Sequence, residues 1–323
     1  MDLQSTLEQY ALQLKNVPRR LVVVASVVQK MMKTLYDFHF PDAENRRPGR
    51  NPECPDSAIL AIGWLLEYIG ADSENAGYRR LKAELKTVFG SLPERSRFNR
   101  RRRNLSGASE VLRRALVDFF PPTQGFLVDS FPIPICDFKR AKSSRSDLKW
   151  ETDASGTLAT YGTCATKGLG TFLGFRGHLI TTGIGVPVDF AIASAAIDDR
   201  EVLPLLCERG RYRVILGDKG YISGPLQDEL LETENTCLLS TLRSNQNHQY
   251  PEGFRKLQVR VRRRIETTIG QLTEQFGVSR VRARTQWGMQ TRMSHKLGAC
   301  LLGAFLNHCL GRPLMKLRDL VLA

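Results

Sequence analysis

Tyr212-Arg213-Val214-Ile215-Leu216-Gly217-Asp218-Lys219-Gly220-Tyr221 reads as a short buried strand with an abrupt exit. Val214, Ile215 and Leu216 form its apolar run, and the Gly-Asp-Lys-Gly that follows is a tight turn. The turn sets the Asp218 carboxylate at the carboxyl end of a core strand, where ligands and catalytic groups gather in open α/β sheets. An Asp after a strand is more often a turn-former than a catalyst. The reading therefore depends on whether the chain brings other carboxylates to the same edge.

Working outward, Asp198-Asp199-Arg200 starts a helix that runs to about Glu208, ahead of this strand. A helix over Leu226–Leu231 and a short strand over Thr236–Ser240 follow it. Further upstream, Phe172–Thr182 and Val186–Ile192 are two strands joined at Gly183-Ile184-Gly185, a hairpin signal. Phe126 to Cys136 is an earlier strand carrying Asp129, and Pro132 and Pro134 give it an edge-like or irregular ending. Lys139–Asp153 is a polar loop, and Arg243–Lys256 a basic one. Beyond it Val261, Ile265, Ile269, Leu272 and Phe276 mark an amphipathic helix over Val259–Phe276, with Glu266 beside its apolar stripe. A last apolar helix, Met293–Leu310, is expected to pack on the sheet. The order β-β-β-α-β-α-β-α, with acids on strands one and four and on the closing helix, describes a ribonuclease-H-like fold. Its mixed five-stranded sheet is flanked by helices. Oxygen ligands of this kind suit Mg²⁺, a hard cation that takes one or two carboxylates plus substrate phosphate.

The first 120 residues read as all-helical. Leu3, Leu7, Tyr10, Ala11 and Leu14 share one face, and Pro18 suits the first turn of a second helix reaching about Phe38. Four prolines make Pro41–Pro55 a loop, after which Asp56 caps a helix ending near Gly70. A helix over Glu74–Phe89, a break at Gly90-Ser91-Leu92-Pro93 and a helix from Glu94 give a helix-turn-helix pattern. The second of these helices carries Arg95, Arg97, Arg100, Arg101, Arg102 and Arg103. So many cations on one helix repel one another unless phosphates neutralise them, which marks a DNA-reading helix; a solvated arginine face is the plainer alternative. A helix over Ser109–Phe120 and then Pro121-Pro122 end this region. The expected domains are thus 1–120, helical and DNA-binding, with a possible role in dimerisation, and 121–323, catalytic.

Composition agrees. The chain of 323 residues has 47 Lys and Arg against 33 Asp and Glu, a net charge of +14. Such an excess points to nucleic acid before an anionic membrane. Its apolar stretches, such as Leu21–Val28, are far short of the ~20 residues a spanning helix needs. The N-terminus lacks the layout of a signal peptide, so a cytoplasmic protein is expected. Seven scattered cysteines without a Cys-x-x-Cys pair argue against a zinc ribbon.

Five stretches carry a family resemblance. They are Val128-Asp129-Ser130-Phe131-Pro132, Gly174-Phe175-Arg176-Gly177-His178-Leu179, Leu216-Gly217-Asp218-Lys219-Gly220-Tyr221, Arg243-Ser244-Asn245-Gln246, and Arg263 through Leu272. In this order they resemble the DDE (Asp-Asp-Glu) transposases of bacterial insertion sequences, and look closest to insertion-sequence family nine-eight-two, a relative of family four. The resemblance implies that Asp129, Asp218 and Glu266 bind Mg²⁺ or Mn²⁺, two ions, for cutting DNA at transposon ends and joining the 3′-OH to a target. It implies double-stranded DNA partners (terminal inverted repeats and target) and a homodimer or higher oligomer. Where wider relatives carry Tyr, Arg, Glu and Lys on the closing helix, this chain has Val259, Arg262, Glu266 and Thr273, and Ile197-Asp198 stands at a usual His-Asp. Candidate DNA contacts are His178, Lys219, Arg243, Gln246, Arg262, Arg263 and, among several arginines, Trp287; Trp150 is a further stacking candidate. A satisfied core residue is the alternative for His178, and packing for Trp287. A nuclease of the same fold without strand transfer shares every named residue. A DNA-binding protein without chemistry would keep only the basic surfaces.

Overall fold

A computed structural model describes residues 2–317 apart from 18–19, 43–51, 71–72, 144–157, 165–168, 209 and 211. Pro18 and Trp150 lie outside the described residues. Two units result, one of residues 121–289 and one of 1–120 with 290–323.

The first unit is built on β1 (Gly125–Asp137). Its neighbours are β2 (Thr160–Cys164), β3 (Gly170–Thr182), β4 (Pro187–Ser194), β5 (Val214–Gly217) and β6 (Cys237–Ser240). The order across the sheet is β2-β3-β1-β5-β6, with β4 also on β3. The outer edge of β3 is shared: β2 pairs with Gly170–Gly174 and β4 with the stretch from Phe175 to Thr181. β1 runs antiparallel to β3 and parallel to β5, and β6 is parallel to β5. This is the mixed, helix-flanked sheet of a ribonuclease-H-like core, with β2 as a sixth strand beyond the five expected. The hairpin is as read: Gly185 donates to Thr182 O at 2.9 Å and turns with φ +93°.

β1 ends as the prolines led us to expect: it stays paired with β3 out to Asp137, but its register shifts between Pro134 and Cys136. The prolines are tolerated because β5 pairs only with Gly125–Leu127, which leaves the other side of β1 open beyond that point. Successive residues on β1 face opposite ways. Val128 joins Ile180, Ile215 and Leu238 beneath α8 (Asp199–Cys207) and α9 (Gly224–Glu234), through Leu203, Leu206, Leu226 and Leu230. Leu127 and Leu216 instead meet Ile265 of α10 (Glu252–Glu274), with Val261 and Ile269 alongside. Thr268 Oγ1 donates to Gly185 O at 2.7 Å and ties α10 to the hairpin turn. The basic loop before α10 is shorter than expected, since Pro251 precedes the helix and Glu252 favours its first turn.

The second unit holds α1 (Leu3–Leu12), α2 (Leu21–His39), α3 (Asp56–Tyr68), α4 (Glu74–Glu84), α5 (Lys86–Phe89), α6 (Arg95–Asn104) and α7 (Ser106–Val117). Residues 290–309 of α11 (Gln286–Cys309) belong here too. This overturns the expectation that the last helix packs on the sheet. Gly298 leaves room for the Trp64 ring where a Cβ would clash, Lys296 Nζ pairs with Glu67 at 2.6 Å, and Phe305 meets Phe119. An apolar helix shows by its stripe that it is buried, not against what.

Asp56 also departs from its expected role. Pro55 holds the cap position, while Asp56 is buried, accepting from Arg101 at 2.6 Å and Tyr36 Oη at 3.2 Å.

Candidate active site

β1 and β5 pair as far as Leu127 and Leu216 and then part. Asp129 lies two residues past that fork on β1, in mid-strand. Asp218 is the first residue beyond β5, and its Oδ1 accepts the Gly220 N–H at 2.7 Å, closing the turn that the Gly-Asp-Lys-Gly signal requires. Gly217 has no space for a Cβ, which would lie 2.7 Å from the Tyr221 ring. The turn thereby folds Tyr221 under the acids.

Asp129 faces the side of the sheet covered by α10. Its Oδ1 accepts the Ser130 N–H at 2.8 Å, and its Oδ2 pairs with Arg262 at 3.2 Å. The same guanidinium is 3.6 Å from Glu266 Oε1, one turn along α10. Arg262, 133 residues from Asp129 in sequence, therefore bridges the first and third acids. Glu266 keeps 55 % of its side chain in solvent. Burial raises the Asp129 pKa; the Ser130 N–H and Arg262 pull it down, and the negative charges of Asp218 and Asp199 push it up, leaving it at about 6.

Asp199 is the residue that sequence reasoning passed over. The family's His-Asp was aligned with Ile197-Asp198, but Asp198 caps α8, accepting from the Arg200 N–H at 3.0 Å. The next residue turns inward. Asp199 accepts from Ser130 Oγ at 3.0 Å and from Arg176 at 3.4 Å, and lies 3.6 Å from His178 Nδ1. The available signal was the doubled Asp: one can cap the helix and leave its neighbour for other work. Tyr221 completes the group. Burial and then Asp199, Asp129 and Asp218 raise its phenol pKa well above the usual value, and its hydroxyl has no hydrogen-bond partner among the described residues.

A divalent cation fits this site in kind. The donors are carboxylate oxygens only, and Asp129 carries a surplus of negative neighbours that a hard cation would relieve. Among the described residues, no three His, Cys, Asp or Glu side chains are gathered tightly enough to enclose an ion by themselves. Arg262 supplies the positive charge between Asp129 and Glu266.

The sequence-derived DNA contacts separate into groups. Lys219, Arg243 and Arg263 are exposed in the first unit, and Trp287 is 47 % exposed. Gln246 instead serves its loop, its Oε1 accepting the Arg243 N–H at 3.0 Å. His178 is 1 % exposed, and burial outweighs the pull of Asp199 to bring its pKa down to about 4, so it is a neutral core residue. That buried position removes it from any DNA surface. On α6, Arg95, Arg97 and Arg100 are exposed and Arg103 half-buried. Arg101 turns inward to Asp56 and the Cys54 carbonyl, and Arg102, 3 % exposed, pairs with Glu74 at 3.0 Å. These two correct the reading of all six as an outward face.

Comparisons with known proteins bear on the first unit. No curated protein sequence matches the chain. Among solved structures, the Mos1 strand transfer complex aligns at 15 % identity over 95 % of this chain and 91 % of that one, with a TM-score of 0.22. A Mos1 transposase paired-end complex with left transposon end aligns at 15 % over 86 % and 98 %, also at 0.22. Scores this low carry no argument. A family model described as a transposase DDE domain matches residues 122–286, just over half of the chain and nearly the whole β-sheet unit. With its acids at the fork of a ribonuclease-H-like sheet, the chain belongs to the transposase DDE domain family.

Proposed function

We propose that the protein is a DNA transposase of an insertion sequence, of the bacterial type nearest family nine-eight-two, with Asp129, Asp218 and Glu266 as its acidic triad. The observation that carries this reading is the Arg262 bridge, which holds Asp129 of β1 against Glu266 of α10 beside the Asp218 turn.

Asp129, Asp218 and Glu266 would hold Mg²⁺ or Mn²⁺, and a pair of such ions supplies the Lewis acidity for in-line phosphoryl transfer. The protein's own contribution is placement. The fork sets two half-buried carboxylates, Asp129 and Asp218, near enough that the charge of Asp218 raises the cost of ionising Asp129. Arg262 is poised to exchange its carboxylate partners for a phosphate oxygen of the scissile strand, a guanidinium's preferred ligand. Lys219 and Arg263 flank it as further phosphate contacts. Asp199 orients Ser130, the residue whose N–H holds Asp129. The chemistry is cleavage at the transposon end followed by attack of the freed 3′-OH on target DNA; neither step needs a side-chain nucleophile. Double-stranded terminal repeats and target DNA are the partners, and a dimer or larger assembly holds two ends together. The basic charge supports this, and no described helix is long and apolar enough to cross a membrane.

The experiment is cleavage and joining on DNA bearing terminal repeats, with Asp129, Asp218 and Glu266 each changed to Ala. Each variant is expected to lose both activities by orders of magnitude while still binding the ends. Undiminished activity in any one removes it from the triad. Cutting without a joined product would identify a nuclease instead.

A further inference from the structure

Lys219, next to Asp218 in sequence, also lines an open cavity of about 620 Å³ bordered by the residues after β6 and the first turns of α10. Five cations line it, Lys219, Arg255, Lys256, Arg260 and Arg263, against one acid, Glu252. That acid is already neutralised by Lys256 at 2.6 Å.

A rim of this kind would serve for phosphates alone, but the floor is different. Gln258 is 3 % exposed and its Nε2 has no hydrogen-bond partner among the described residues; neither has the buried Oγ1 of Thr241. Gln258 stands seven residues before Ile265, on the buried stripe of α10, where the other polar member, Thr268, has its partner in Gly185 O. An amide buried without a partner loses its hydration with nothing in return, and an apolar residue at this position would avoid that cost. The walls contributed by Leu242 and Val259 are apolar, and Val259 is 52 % exposed at the mouth. Phosphates on a duplex surface could satisfy the rim yet never reach the floor. A flat apolar group with polar edges, tethered to a phosphate, meets all three features at once.

We infer that this cavity is a subsite for one unpaired nucleotide of a DNA strand. The phosphate lies on Lys219, Arg255, Arg260 and Arg263, the base between Leu242 and Val259, and an acceptor on the base edge takes the Gln258 amide. The subsite rests on the DNA reading above but not on the triad's chemistry. It lets the protein prefer a frayed or overhanging end over a closed duplex.

The test is binding of the full chain, in EDTA so that nothing is cut, to a fluorescent blunt duplex and to the same duplex with short 3′ or 5′ thymidine overhangs. One overhang is expected to bind about tenfold more tightly than the blunt end, the scale of one good base contact. Gln258→Leu removes the amide and Val259→Trp fills the mouth from an exposed position that leaves folding intact. Both should abolish the preference while blunt-end affinity stays within about twofold. Thymidine monophosphate should displace the overhang at concentrations where inorganic phosphate does not. Equal binding of blunt and overhanging DNA overturns the subsite, as does a preference that survives Val259→Trp, or displacement by phosphate alone. Binding of neither DNA overturns it together with the DNA reading, whereas triad variants that still cut and join would refute the chemistry and leave this result untouched.

Discussion

Asp129 holds its charge against its surroundings. Burial and two neighbouring carboxylates lift its pKa to about 6, above the ordinary Asp value, even with Arg262 beside it. A folded-state pKa above the unfolded one means that the fold favours the protonated acid. Stability from this group is full below about pH 4 and declines as pH rises to about 6. Asp129→Asn should therefore stabilise the protein at pH 7.5 by on the order of 2 kcal/mol and have little effect at pH 4. Denaturant midpoints at the two pH values measure this, and an equal effect at both would refute the burial account. At this scale the sequence was readable where chemistry repeats a pattern: Asp218 in its turn, Glu266 beside the stripe. It was not readable for Asp199, whose inward turn depends on Ser130 and Arg176 from two other strands.

Helix α6 shows the same division within one element. The break at Gly90-Ser91-Leu92-Pro93 placed the helix, but the direction of each arginine is set by partners far off in the chain. Glu74 is one: burial works to raise its pKa, yet Arg102 and Arg292 outweigh that and hold it down. Arg102→Ala should cost about 3 kcal/mol, because it breaks a buried ion pair. Arg97→Ala, on the exposed side, should leave stability within about 0.5 kcal/mol. The roles reverse for DNA: Arg97→Ala should weaken binding and lessen its salt slope by about one. Salt titration of both variants alongside thermal melts is the measurement; a salt slope unchanged in Arg97→Ala would remove α6 from the DNA surface. In β1 the prolines carried a similar ambiguity. They forbid a ladder on one side only, and which side has a neighbour is settled by where β5 stops.

For the whole molecule, the ribonuclease-H-like unit was legible because its strands, hairpin and helices occur in a recognisable order. The division of the chain was less so. Pro121-Pro122 falls where the two units divide, but nothing in the α11 pattern said that it would return to the helical unit. A chain ended after Met289 lacks the groups that pack on Trp64, Glu67 and Phe119. Such a chain should lose more helical circular dichroism than the missing residues account for, and the fluorescence of the buried Trp64 should shift to the red. Unchanged Trp64 emission would show that the first seven helices close without α11.

That return of the chain has a consequence during synthesis. Helices α1–α7 leave the ribosome before the β-sheet unit, yet their core waits for a segment made after it. A prematurely terminated product is thus left with an open helical bundle, and only a fully translated polypeptide can complete it.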